Sequence, residues 1–463
     1  MFVGRGAELN KLEELYRSNV FECCVVYGRR RVGKTTLIQE FCRGKRAIYF
    51  VAREAGSAQN LASFSTDVMR ISGDVGVSSL SFGSWDAAFD YIHMKSADER
   101  LILVIDEYPY LAEADRGISS LLQAKIDMAF KDSKLFLILC GSSMSFMENQ
   151  VLGYKSPLYG RRTAQFKIEH FDFFDAMKFH ENFSKLESAA IYGITGGIPQ
   201  YLRLIREGRT VRENVIENFL DKTSYLYEEP SNLLKQELRE PAAYNAIIAA
   251  IAGGASRLNE ISTKSGLESG KCGKYLLSLI SLALVKKEKP LLEKESRRSI
   301  YMLDDNMFKF WYRFIPSNMS NIESGLTEYV YDHYIEPFFP AYMGGIFEQI
   351  CLQYMKRRNA KFELPFVFRE IGRWWGNNPI RKRQEEIDIL AVSENEAIFC
   401  ECKWKKEPVT SEALDALVER SELFSHEQKY FFLFSKSGFD RKLQKTAKLD
   451  DTIRLINFAD MAE

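Results

Sequence analysis

Net charge is what this 463-residue sequence most plainly lacks: 63 lysines and arginines face 63 aspartates and glutamates. A neutral chain has no overall field to draw it to nucleic acid or an anionic membrane, so any basic surface must be local. Long apolar runs are missing too. The longest, such as Leu276–Val285, fall far short of the ~20 residues that cross a bilayer. The opening MFVGRGAELN carries no apolar signal core. The eight cysteines include the adjacent pair Cys23–Cys24 but no paired CxxC spacing. That argues against a zinc ribbon and predicts reduced thiols in a cytoplasmic protein with no membrane partner. No internal repeat or low-complexity tract is present, and 46% apolar with 27% charged residues excludes a mostly disordered chain. The length exceeds what one core serves, so two to four domains are expected.

What is there begins as an alternation of apolar β-like runs and amphipathic helical stretches. The runs are Cys23–Tyr27, Ala47–Val51, Leu101–Asp106, Leu135–Cys140 and Phe166–His170. Such alternation predicts an α/β fold, a parallel sheet with helices on both faces. A core over 1–172 is followed by a helical lid over 173–240, interrupted at Thr195–Pro199. Three helices and two strands over 241–308 read as a winged helix-turn-helix. Ile315–Thr327, rich in Ser, Asn and Gly, reads as linker within a connecting segment 309–340. A last α/β domain occupies 341–463.

Gly28-Arg29-Arg30-Arg31-Val32-Gly33-Lys34-Thr35 fits GxxxxGK[ST], after the strand CCVVY and before the helical TLIQEFCR, with Thr36 opening the helix. Glycines let the backbone wrap a phosphate, and the N–H groups and helix N-terminus favour the anion. Lys34 is expected at the β- and γ-phosphates of ATP, and Thr35 on Mg²⁺. Asp106 closes the strand LILVID, where a carboxylate holds the same ion through water. Glu107 then stands where it deprotonates an attacking water. Leu135–Cys140 ends in Gly141-Ser142-Ser143, and a polar residue there contacts γ-phosphate or water; the sequence does not separate Ser142 from Ser143, and an ordinary Ser-rich loop is the plain alternative. Arg161 and Arg162, in PLYGRR, suit either a transition-state finger, worth ~10³–10⁵ in rate, or a solvated basic turn. Gly196-Gly197-Ile198-Pro199 suits a lid hinge or a simple turn between helices.

The segments FVGR…EL, GRRRVGKT, VIDEYPYL, CGSSMSFM, SPLYGRRT and TGGIPQYL, in this order, resemble the archaeal-type ATPases near the STAND and AAA+ classes. The resemblance covers about residues 1–240. It implies that Gly4-Arg5 lies near the adenine and that the strand before the phosphate loop is flanked by later strands.

Across Gly253–Ile300 ten basic residues (Arg257, Lys264, Lys271, Lys274, Lys286, Lys287, Lys289, Lys294, Arg297, Arg298) outnumber five acidic ones (Glu260, Glu268, Glu288, Glu293, Glu295). Lys271 and Lys274 fall near the start of the third helix, where such modules meet DNA. Winged helices also serve as purely protein-binding modules.

Further on, Glu386-Ile-Asp388-Ile-Leu-Ala-Val392 and Ala397-Ile-Phe-Cys-Glu401-Cys-Lys403 flank a polar turn and predict a hairpin. Centring the turn between Glu394 and Asn395 pairs Val392 with Ala397, Asp388 with Glu401 and Glu386 with Lys403, so Asp388 and Glu401 should share a face. Two carboxylates at ~5 Å repel by about 3 kcal/mol at an effective dielectric of ~20. A divalent cation turns that repulsion into binding, and Lys403 stabilises a phosphate. The D…ExK order resembles the PD-(D/E)xK nuclease core, and GRWWG, EIDILA and CECKW look like the DUF234-type domain often fused to archaeal-type ATPases. Ile387 stands where that core carries Pro. By that likeness Glu348, on the helix Gly345–Arg358, completes the set, so Glu348, Asp388 and Glu401 are expected metal ligands and Lys403 a catalytic partner. The whole then reads as a Mg²⁺-ATPase coupled to DNA binding or processing, with a possible nuclease site. The alternatives are a STAND-like switch that only binds partners and, disfavoured by Glu107, an ATP-binding module without hydrolysis. A homo-oligomer is compatible with all three.

Overall fold

The computed structural model describes residues 2–72, 81–293, 298–379 and 381–461. It divides into two compact units, Met1–Phe171 with Ile198–Gln200, and Asp172–Gly197 with Tyr201–Glu463.

The first unit is built on five parallel strands: β1 (Glu22–Tyr27), β2 (Ala47–Val51), β3 (Leu101–Asp106), β4 (Leu135–Gly141) and β5 (Ala164–Lys167). Their order is β2-β3-β4-β1-β5, so the strand before the phosphate loop is flanked by later strands, as the resemblance implies. Every residue of β1, β3 and β4 is buried. That explains their unbroken apolar runs, because a central parallel strand is covered on both faces. The edge strands β2 and β5 alternate instead. β5 begins two residues earlier than the sequence suggests. This order brings the carboxyl ends of β1, β3 and β4 side by side, where open α/β sheets bind ligands.

The second unit starts with helices over 173–237. Pro241–Ala252, Leu258–Ser265 and Ser269–Ser281 are then followed by an antiparallel hairpin, β6 (Val285–Glu288) with β7 (Ile300–Leu303). This is the element order of a winged helix. Lys294, Glu295 and Arg297 lie outside the described residues.

The segment read as linker is helical: Asn306–Phe314, Met319–Glu323 and Thr327–Val330. Its polar residues cap helices rather than loosen the chain. Asp305 accepts from Phe308 N at 2.9 Å, and Asn318 Nδ2 donates to Phe314 O at 2.8 Å. Meanwhile Met307, Phe308, Phe310, Phe314 and Ile322 are buried. Turn-forming composition was outweighed by apolar residues at helical spacing.

The long helix Phe339–Ala360 starts six residues before the expected Gly345. It packs on a second sheet of β8 (Glu370–Asn378), β9 (Arg383–Val392), β10 (Glu396–Lys403), β11 (Gln428–Ser435) and β12 (Ile453–Asn457), in the order β12-β11-β10-β9-β8. β9 is antiparallel to both neighbours, while β10, β11 and β12 run parallel. Val392 faces Ala397, as the turn predicts. The pairing runs only to Ile389–Cys400, one step short of Asp388 and Glu401. A register shift between Gly372 and Trp374 on β8 accompanies this stop. Ile387 and Leu390, three residues apart, sit in one apolar cluster, which strict alternation forbids. The strand is bulged at Asp388–Ile389.

Candidate functional site

The loop 28–33 leaves β1 and turns into the helix Lys34–Cys42. A Cβ on Gly28 would stand 2.2 Å from Ile168 O, so only glycine lets the loop run this close to the end of β5. Lys34 is buried, and its ammonium donates to Gly28 O at 2.8 Å and Arg29 O at 3.0 Å. It is therefore aimed into the concavity of its own loop. Arg29 and Val32 are buried, Arg31 takes φ 75, and Arg30 donates to the Tyr110 hydroxyl at 3.0 Å. Arg5 donates to Val32 O at 3.2 Å and to Glu169 O, pairs with Glu8 and lies 4.3 Å over the Phe171 ring. It ties the N-terminal segment to the loop.

Thr35 Oγ1 donates to Asp106 Oδ2 at 3.1 Å, and Thr36 follows, half-buried. The same carboxylate oxygen accepts from the Tyr49 hydroxyl at 2.7 Å, and Glu107 N donates to Asp106 Oδ1 at 2.9 Å. Burial, then the charge of Asp106, pushes the Tyr49 phenol far up, so it remains a donor. Sequence reading missed Tyr49; its signal was a hydroxyl inside the apolar strand AIYFV. Glu107 takes the left-handed φ 52 and turns its carboxylate to Ser142, whose Oγ donates at 2.9 Å and whose N–H donates at 3.3 Å. Ser142, rather than Ser143, is the polar residue that meets the acidic pair. A hydroxyl and a carboxylate side by side at the end of β3 form an oxygen donor set of the kind Mg²⁺ takes.

Arg161 is held elsewhere. Its Nε and NH2 donate to Asp127 at 2.9 and 2.7 Å. Arg162 donates to Leu152 O at 3.4 Å. Neither bonds to Lys34, Thr35, Asp106 or Glu107.

In the second unit, Asp388 Oδ2 accepts from Cys402 N at 2.8 Å. Burial first and the charge of Glu401 next push its carboxyl up to about 6; burial and Asp388 push Glu348 up to about 7. Asp388 therefore stands within electrostatic reach of both. Glu401 alternates with Ala397 and Phe399 toward the helix Ser411–Ser421. Its carboxylate pairs with Lys403 and, at 2.8 Å, with Arg420 of that helix. Among the described residues no three His, Cys, Asp or Glu side chains gather as a ligand set for a metal ion. The hairpin pairing stops at Ile389–Cys400, so the expected pairing of Asp388 with Glu401 is not formed.

Across Gly253–Ile300 three of the basic residues are paired locally. Lys271 pairs with Glu240 at 3.0 Å, Lys286 with Glu288 at 3.5 Å and Arg298 with Glu293 at 3.4 Å. Lys274 is exposed with no side-chain partner among the described residues. No helix among the described residues is long and apolar enough to cross a membrane.

Known proteins carry the same parts. A family model for an ATPase domain predominantly from Archaea matches residues 2–205, and the DUF234 model, of archaeal and bacterial proteins of unknown function, matches residues 311–416. An uncharacterized protein of Methanocaldococcus jannaschii is 34% identical over 448 residues, covering 94% of this chain and 96% of that protein. Among solved structures, the Walker-type ATPase PABY2304 of Pyrococcus abyssi superposes with a TM-score of 0.50 at 18% identity, over 67% of this chain and 96% of its own.

Proposed function

Because the chain belongs to the family of archaeal-type ATPases that carry a C-terminal DUF234 domain, we propose that it is a Mg²⁺-dependent ATPase acting as a switch on DNA. In this reading the winged helix makes the DNA contact and the C-terminal domain binds without cutting. The observation that carries the ATPase mechanism is the bonded set Thr35–Asp106–Glu107–Ser142 at the mouth of the phosphate loop. Lys34 meets the charge of the β- and γ-phosphates. Thr35 and Asp106 would hold the metal ion, which would supply positive charge to the phosphate oxygens. Glu107, oriented by Ser142, takes the proton of the attacking water. Arg5 and Tyr110 keep the loop in shape.

Phosphate release and nucleotide binding, measured on the full chain, test this. Lys34→Ala should abolish turnover with the fold intact. Glu107→Gln should keep ATP binding and lose about 10²–10⁴ in rate. Near-normal turnover in a folded Lys34→Ala protein would sink the assignment, and loss of binding in Glu107→Gln would make Glu107 structural.

The second reading is metal-dependent DNA cleavage at the C-terminal domain, favoured by the closeness of Glu348, Asp388 and Lys403. The ion pairs of Glu401 with Lys403 and Arg420 weigh against it, since a metal must displace both cations. Incubating the chain with plasmid and Mg²⁺ or Mn²⁺ separates the two. Nicking that Asp388→Asn stops establishes the nuclease; intact plasmid keeps the binding role.

A further inference from the structure

The second unit contains a cavity of about 570 Å³ that the ATPase mechanism does not use. This is the size of a small-molecule site, where apolar walls carry a few placed polar groups. The apolar walls come from Ile300, Met302, Ile346 and Leu352 among others. The polar groups are unusually rich in charge. Lys309 and Arg313 stand one turn apart on the helix Asn306–Phe314, so they present one face. Glu348, Gln349 and Asp388 line the same cavity.

Two of the lining cations are already balanced: Lys286 by Glu288 at 3.5 Å, and Arg373 by Glu386. The other two are not. Lys309 Nζ donates to Asn306 Oδ1 at 3.0 Å and makes no ion pair among the described residues; Arg313 makes none either. Burial lowers the Lys309 ammonium to about 8, and the charges of Asp304, Asp305 and Glu288, none of them in contact with it, offset burial only in part. At the same time Gln349 Oε1 is buried without a hydrogen-bond donor. A desolvated Lys309 without a contact anion, an exposed Arg313 one turn away and an unmet acceptor in one cavity ask for a ligand with an anionic end and a donor group.

We propose that this cavity binds a small phosphate-bearing nucleotide, its phosphate on Lys309 and Arg313 and its base amine or ribose hydroxyl on Gln349 and Glu348. The site is made wholly of residues 251–389 and shares nothing with the phosphate loop; its phosphate end, Lys309 and Arg313, takes no part in the cleavage reading, which shares only Glu348 and Asp388 with it. A free nucleotide fits better than a strand end, because two cations suffice for one phosphate and leave nothing for a following backbone.

The test is isothermal titration of AMP and GMP into the full chain with ADP and Mg²⁺ saturating the phosphate loop. Inorganic phosphate and a 5′-phosphorylated oligonucleotide serve as separate arms. Binding of AMP or GMP with a Kd on the order of micromolar, weakened tenfold or more by Lys309→Met with Arg313→Ala, supports the proposal, with ATP turnover unchanged. Arg313 is exposed, so Arg313→Glu alone is expected to fold, which urea melting checks, and should weaken binding as well. No binding of either mononucleotide overturns the proposal. So does binding that ignores both variants, phosphate binding as tight as AMP, or binding of the oligonucleotide alone.

Discussion

At the residue scale the ATPase site turns on how one serine handles a glutamate. Glu107 sits in the left-handed region, costly for a residue with a side chain, and its carboxylate is fixed by both the hydroxyl and the N–H of Ser142. Ser142→Ala removes one charge-assisted bond, worth about 1.5–3 kcal/mol. Turnover should fall roughly tenfold to a hundredfold while ATP affinity holds; unchanged turnover would leave Ser142 without a catalytic part. The carboxyls of Asp388 and Glu348 make a different statement. Their folded values, about 6 and about 7, lie above the ordinary 3.8 and 4.5. The native chain therefore binds more protons than the unfolded one between about pH 4 and pH 7. The stability this lends is full below that window and is lost as pH rises through it. At about 1.36 kcal/mol per unit, the loss is about 3 kcal/mol for either carboxyl taken alone. Urea unfolding at pH 5 and pH 8 should show it, and Asp388→Asn should flatten much of the slope. A variant as pH-sensitive as the parent would mean that other groups carry the effect.

At the element scale the second unit is held by contacts no motif announces. Arg357, late in the helix Phe339–Ala360, reaches Asp172 through two bonds of 2.6 and 2.7 Å and Asp175 at 2.7 Å. On the same helix Gln353 accepts from Phe173 N and donates to the Tyr192 hydroxyl. The pair is partly exposed, so its net worth is modest despite bidentate geometry. A double-mutant cycle of Arg357→Ala with Asp172→Asn should give a coupling of about 1 kcal/mol in urea melts; additivity would make the bridge ornamental. These contacts also mark where sequence reading ran out. The β1, β3 and β4 strands, the phosphate loop, Asp106 and Glu107 were legible because local pattern and neighbouring elements agree there. The hairpin turn was legible for the same reason. The pairing of Asp388 with Glu401 was not legible, because the ladder stops one step before it and nothing in EIDILA marks the bulge. The helices over 306–335 were hidden by a Ser- and Asn-rich composition that buried apolar residues at helical spacing outweigh. Tyr49 and Arg357 act over 57 and 185 residues of sequence, a separation that a one-dimensional pattern does not encode.

At the scale of the whole molecule, neutrality sets the terms of any DNA contact. With 63 charges of each sign, affinity has to come from a few local cations. Across Gly253–Ile300 three of them pair with acids, Lys271 with Glu240, Lys286 with Glu288 and Arg298 with Glu293. Arg257, Lys274 and Lys287 remain exposed, Lys264 and Lys289 are exposed but donate to backbone at Gly253 O and Glu293 O, and Lys271 becomes available only by leaving Glu240. Each phosphate neutralised contributes about −0.9 to the slope of log K against log salt. Three or four contacts therefore predict a shallow slope of about −3, and weak, non-specific binding in fluorescence anisotropy with duplex DNA. Replacing Lys271 and Lys274 together by Glu should cut the slope by about 2 and weaken every sequence alike, since phosphate contacts read no bases. A slope of −6 or steeper would mean that a second surface of the chain joins the contact. Binding indifferent both to salt and to the two substitutions would remove the winged helix from the DNA altogether, and leave the switch acting on a protein partner instead.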